Sequence, residues 1–140
     1  MAFNARRVTT SATTGNLNTI VAGTRTAGAT LTMSQVEPGS LACEVTVLAE
    51  TNTLTIALDW QVSVDGSTWM VVANGSQNAA AVVLATGTAG ADAAVTEVVP
   101  APDCVYSFLY CRAAGRNAVT TGAAADTYSI KYHYMKPKFV

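Results

Sequence analysis

His133 is the only histidine in the 140-residue chain, and it stands between Tyr132 and Tyr134. One imidazole cannot form a His–His metal pair. A Ser-His-Asp triad would call for a nucleophile elbow such as GxSxG, which the chain lacks. His133 is therefore expected at a surface or an interface. Cys43, Cys104 and Cys111 are odd in number and have no CxxC spacing, so they read as reduced, small apolar residues, with a disulfide between two of them left open. Asp59 and Asp65 fall about 20 Å apart along one extended segment, too far for a working carboxylate pair. Asp65-Gly66-Ser67 is a fragment of a calcium loop without its remaining ligands and reads as a turn. The glycine-rich run from Ala85 to Ala91 lacks the Lys-Ser/Thr of a phosphate loop. The expectation is a protein that is not an enzyme, with no cofactor and no metal.

The charges are sparse and segregated. They make up 12% of residues, with a net charge of −1. From Thr26 to Cys111 there is no Lys or Arg, while Glu37, Glu44, Glu50, Asp59, Asp65, Asp92, Glu97 and Asp103 all lie in that stretch. The bases sit toward the ends: Arg6, Arg7 and Arg25, then Arg112, Arg116, Lys131, Lys136 and Lys138. If the ends meet in the fold, a basic pole faces an acidic body, and such poles dock identical subunits in one orientation. The alternative is that the charges intermix on folding. Scattered bases and an acidic pI argue against nucleic acid. A surface so poor in charge suits an assembly that covers part of it.

The elements that must position these residues are strands. Leu54, Ile56, Leu58, Trp60, Val62 and Val64 alternate with Thr53, Thr55, Ala57, Asp59, Gln61 and Ser63, a period of two that puts one apolar face on a core. Asp65-Gly66-Ser67-Thr68 then turns the chain into Trp69–Ala73, giving a hairpin. A loop at Gly66-Ser67 sets Val64 opposite Trp69, Val62 opposite Val71 and Trp60 opposite Ala73. A loop at Asp65-Gly66 keeps the same parity, and an odd-length loop needs a bulge. Both tryptophans are thereby expected in the core, as are Tyr128, Tyr132 and Tyr134.

Further strands are expected at Thr30–Met33, Leu41–Glu50, Ala80–Ala85, Ala94–Val99, Val105–Arg112 and Thr127–Met135, with Glu37-Pro38-Gly39-Ser40 as a turn. Pro100 and Pro102 close the strand before them. Residues 113–125 read as a long loop. Residues 1–29 read as an extended N-terminal arm, with a short strand at Leu17–Val21 as one option inside it, and residues 30–140 as one sandwich domain. No stretch offers a convincing helix. The fold class is all-β: an antiparallel β-sandwich, with a jelly roll among the arrangements that suit it. No apolar run approaches the ~20 residues that cross a bilayer, so no membrane is expected. The start, Met-Ala-Phe-Asn-Ala-Arg-Arg, lacks the apolar core of a secretory leader, which points to a chain that is cytosolic at synthesis.

The segment from Trp60 to Trp69 resembles the W-x-V-S-x-D-G-x-x-W hairpin of small β-sandwich proteins of tailed-bacteriophage particles. The aromatic strand Tyr106–Arg112 and the Tyr-rich strand Tyr128–Tyr134 are similar to theirs as well. Carbohydrate-binding and fibronectin-like sandwiches use related hairpins. The low charge and irregular N-terminal segment are similar to head decoration (capsid cement) proteins. That resemblance implies a structural virion protein on the outer capsid surface, a homotrimer that binds the major capsid protein and bridges capsomers. The contacts would come from Phe3, Arg6, Arg7 and Arg25 in the arm and from Lys136, Lys138 and Phe139 in the tail. Deleting residues 1–12 would then abolish capsid binding and leave the sandwich folded. A tail-tube or head-tail adaptor subunit, and a carbohydrate-binding module, are the alternatives.

Overall fold

The structure, a computed structural model, describes residues 6–16, 26–49, 55–72, 82–85, 93–117 and 127–137. Among the described residues, eleven strands form two antiparallel sheets. They are β1 (Arg7–Thr9), β2 (Thr13–Asn16), β3 (Thr26–Ala27), β4 (Leu31–Thr32), β5 (Ala42–Ala49), β6 (Thr55–Ser63), β7 (Met70–Val72), β8 (Val82–Ala85), β9 (Ala93–Pro100), β10 (Tyr110–Asn117) and β11 (Thr127–Met135). The first sheet runs β1-β11-β5-β9, with β2 also on β11. The second runs β3-β10-β6-β7, with β4 on β10 and β8 on β6. Among the described residues no helix is long and apolar enough to cross a membrane.

The short strands pair up. β1 and β2 both lie on β11, β3 and β4 both on β10, and β7 and β8 both on β6. Counted so, eight strands remain, and the pairing is nested: first with eighth, second with seventh, third with sixth, fourth with fifth. A long antiparallel hairpin wrapped into two sheets gives this nesting, which is the winding of a jelly roll.

The two β1/β2 and β3/β4 rims are bulged. Thr10, Ser11 and Ala12 span the stretch that Lys131 and Tyr132 span on β11, and Gly28, Ala29 and Thr30 the stretch that Arg112 and Ala113 span on β10. An extra residue frees ladder groups that must find other partners. Tyr132 N–H donates to Thr10 Oγ1 at 2.9 Å. Ala113 N–H donates to the Tyr132 hydroxyl at 2.8 Å, so a side chain of the first sheet completes the ladder of the second. Gly28 permits that approach, since a Cβ there would lie 2.8 Å from the hydroxyl and 3.1 Å from Ile130 Cγ2. Residues 7–9 and 13–16, expected within a free arm, are thus rim strands. Deleting residues 1–12 would remove a strand and the Thr10 acceptor, so it does not separate binding from folding. Leu17–Val21 lies outside the described residues.

The core holds Leu58, Trp60 and Val62 from β6, Cys43 and Val45 from β5, Cys111 and Ala113 from β10, and Tyr128, Ile130 and Tyr132 from β11. The tyrosine row faces inward as expected, with Tyr134 packed at its margin. Cys43 and Cys111 are buried free thiols pushed up to about 12 by desolvation, and Cys104 is a free, exposed thiol. Trp60 stands near Tyr132, with ring centroids 6.4 Å apart.

Three expectations change. The hairpin register is Val62 opposite Met70, Gln61 opposite Val71 and Trp60 opposite Val72, one residue from the expected pairing. The cause is the loop. Ser63 Oγ accepts from Gly66 N–H at 2.9 Å and donates to Asp65 Oδ1 at 2.9 Å, and Asp65 Oδ1 accepts from the Ser67 and Thr68 N–H groups at 2.8 and 2.7 Å. Gly66 supplies the left-handed φ of +78°, which costs glycine little. The slip leaves Val64 60% exposed and turns Trp69 out of the core. The strand expected from Val105 begins instead at Tyr110, after a 3-10 helix at Asp103–Ser107 whose Val105 is buried. Finally, β10 continues to Asn117, through residues expected in a loop.

Candidate functional site

Of the seven residues singled out for partner contact, Arg6, Arg7 and Lys136 are described; Phe3, Arg25, Lys138 and Phe139 lie outside the described residues. The three meet at one corner of the first sheet. Lys136 N–H donates to Arg6 O at 2.7 Å, and the Arg6 guanidinium donates back to Lys136 O from Nε and Nη2, at 3.1 and 2.9 Å. Arg6 Nη2 also pairs with Glu37. Arg6 is therefore an internal tie between the start of β1 and the end of β11. Arg7 and Lys136 are exposed.

Beside that corner, four side chains form a row across β1, β11 and β5. Antiparallel pairing sets Thr9 opposite His133 and places Glu44 and Lys131 opposite each other on the same outer face. Thr9 Oγ1 lies 3.0 Å from His133 Nδ1, His133 Nε2 lies 3.2 Å from Glu44 Oε2, and Lys131 Nζ lies 2.8 Å from that same oxygen. Hydroxyl, imidazole and carboxylate in line are the ingredients of nucleophilic catalysis. Here the carboxylate charge is already shared with Lys131, and the row lies along an open sheet face. Partial burial, then Arg7 and Lys131, hold the His133 pKa below its ordinary value, so the ring is neutral near pH 7 and can donate to Glu44 while accepting from Thr9. What this arrangement does is pin the rim strand β1, and Arg7 with it, to the middle of the sheet.

The outer face of the second sheet differs. Asp59, Gln61 and Ser63 point away from the core yet are buried, at 1%, 7% and 0% exposure. Arg112 Nε donates to Gln61 Oε1 at 2.7 Å, and its guanidinium carbon sits 4.0 Å from the Trp69 ring centroid. At the hairpin end, Val64, Met70 and Leu109 are exposed. Arg112 belongs to the basic C-terminal part of the sequence but sits on the opposite sheet from Arg7 and Lys131, so the described basic residues are divided between the two sheets.

Sequence reasoning singled out Arg6, Arg7 and Lys136 by their place in the arm and the tail, but not their meeting at one corner. It missed the Thr9, Glu44 and Lys131 row, because residues 9, 44 and 131 are brought together only by the pairing of three distant strands. It also missed the Arg112–Trp69 stack, because that depends on the one-residue slip. Among the described residues no group of three or more His, Cys, Asp or Glu could hold a metal ion. The chain matches no family model, and comparison with curated proteins and with solved structures gives no significant match.

Proposed function

We propose that this chain is a structural virion protein of the capsid decoration class, which binds the outer surface of an icosahedral phage shell as a homotrimer and stabilises it by bridging capsomers. The observation that carries this reading is the hairpin. Each fixed position of its motif serves the fold, with Trp60 in the core, Ser63 and Asp65 organising the loop, Gly66 at the left-handed turn, and Trp69 stacked on Arg112. A pattern whose every position is used is one that a resemblance can rest on. Jelly rolls occur in viral capsid proteins and in lectins, so the fold agrees with the reading by analogy and does not decide it. Each subunit would contribute a modest contact, and a trimer engaging several capsomers at once multiplies it.

The test is to add the purified protein to shells of the cognate major capsid protein and image them. Density on the outer surface at capsomer junctions is expected. Density confined to the tail, or a hexameric ring of the free protein, would select the tail-tube or adaptor reading instead. The outward turn of Trp69 adds one observation in favour of a carbohydrate-binding module, but one face of that indole is occupied by Arg112. A glycan array without binding would remove that alternative.

A further inference from the structure

The first sheet has two unlike rims. With the order β1-β11-β5-β9, β1 and β9 lie on opposite sides, about 14 Å apart at the usual strand spacing. Among the described residues, no strand of that sheet lies outside either one.

The β1 rim is basic. Arg6 is neutralised by Glu37, which leaves the exposed Arg7 and Lys136 without an ion-pair partner among the described residues. The β9 rim is acidic. Glu97 lies opposite Val45, on the side of the strand that faces the core, yet it is exposed. A carboxylate can occupy an inward-facing position and stay in water only at the margin of a sandwich, where it leans out sideways. Asp103, also exposed, follows the end of β9 as the chain leaves the sheet. Neither acid has an ion-pair partner among the described residues. Val98 adds an apolar element to this rim, at 56% exposure, and Thr96 beside it is exposed too.

Both rims also present open backbone groups. Lys136 N–H bonds to Arg6 O and Thr10 N–H to Tyr132 O, so the even-numbered residues of β1 face β11, and the N–H and C=O groups of Arg7 and Thr9 face outward. Ala101 N–H bonds to Leu41 O, so by alternation the backbone groups of Thr96 and Val98 face away from β5. An inward-leaning charge such as Glu97 is a known guard against indiscriminate edge pairing. It leaves room for a partner that brings the opposite charge.

We infer that copies of this chain associate rim to rim, the β1 rim of one, with the basic corner of Arg7 and Lys136, against the β9 rim of the next, which carries Glu97. The two surfaces differ, so the contact is heterologous. It therefore repeats around a ring or along a filament and does not stop at a two-fold dimer. The charge pattern sets the direction: like rims repel and unlike rims attract. This inference is independent of what the assembly coats, and it is tested on the free protein.

The experiment is sedimentation of the full chain at about 20 mM and about 500 mM salt, since surface charges further apart than about a Debye length are screened at the higher value. The wild-type protein is expected above monomer mass at low salt and to dissociate at high salt. Arg7→Glu and Glu97→Lys, each alone, are expected to raise the midpoint concentration of association about tenfold or more. The double variant, Arg7→Glu with Glu97→Lys, should recover it. Both side chains are exposed, so unchanged far-ultraviolet dichroism is expected and reports intact folding. A wild-type protein that is monomeric at low salt, single variants of unchanged mass, or a double variant that stays dissociated would each overturn the inference. Failure to decorate shells, with this association intact, would bear on the proposed function alone.

Discussion

The outer faces of the two sheets carry similar residue types and treat them in opposite ways. On the first, Thr9, His133, Glu44 and Lys131 form a half-exposed row, and Thr46 bonds Thr96 at 2.9 Å across β5 and β9. On the second, Asp59, Gln61 and Ser63 are as buried as the core residues beside them. Alternation along a strand says which side chains share a face. It does not say whether that face is wet, because water access depends on what folds over it. On the second sheet, the hairpin loop closes around Ser63, and Arg112 with Trp69 lies beside Gln61. A polar group in that setting is worth more than the same group on the first sheet, since removing one buried partner leaves another unsatisfied.

That contrast can be broken by substitution. Ser63→Ala removes the acceptor of the Gly66 N–H and a donor to Asp65 and leaves a gap at a fully buried position, and should cost about 1.5–2 kcal/mol in denaturant unfolding. A loss below about 0.5 kcal/mol, ordinary for a surface change, would mean that the face is effectively solvated. Arg112→Ala loses the Gln61 bond and the indole stack. It is expected to cost about 1–2 kcal/mol, with a shift in Trp69 emission. Gly28→Ala sharpens the comparison at the rim. The added methyl meets the Tyr132 hydroxyl that serves Ala113, and about 1–2 kcal/mol should be lost through overpacking.

The first sheet should respond more weakly. Lys131→Ala removes a part-exposed partner of Glu44 and should change stability by less than about 1 kcal/mol; a larger loss would show that the row acts as a network. The smallest expected effect is that of pH. The groups facing His133 are Thr9 and Arg7 from β1, Lys131 from its own strand and Glu44 from β5. Its folded pKa is depressed, so the unfolded chain takes up a proton first as pH falls. The stability this neutral ring contributes is present above the ordinary value near 6.5. It is lost as pH falls through that value toward the lower folded one. Unfolding measured between about pH 8 and pH 5 should show a shallow decline that His133→Gln removes; a profile identical in the two proteins would contradict the assignment.

Much of this architecture was legible beforehand, for reasons tied to particular residues. Thr127–Met135 is a strand with Tyr128, Ile130 and Tyr132 inward, as its alternation demanded. Glu37-Pro38-Gly39-Ser40 is a turn, with Gly39 at a φ of +83° and Ser40 N–H on Glu37 O. What escaped was set by groups far apart in sequence. The N-terminal strands have weak patterns of their own and are held by β11, whose alternation is strong. The hairpin register turned on whether Ser63 and Asp65 would close a longer loop, a choice that residue types permit and only the folded loop makes.

The amino-acid order alone determined that this chain forms strands, which residues of β6 and β11 share an apolar face, and where glycine and proline break them, because those depend on neighbours one or two residues away. The tertiary structure decided which polar face would be covered, that Trp69 would leave the core, and that Arg7 and Glu97 would stand on opposite rims. The placement of Arg7 follows from pairing between strands more than a hundred residues apart, that of Glu97 from the β5–β9 pairing, and that of Trp69 from how the loop at residues 63–68 closes; the periodicity of the chain specifies none of the three.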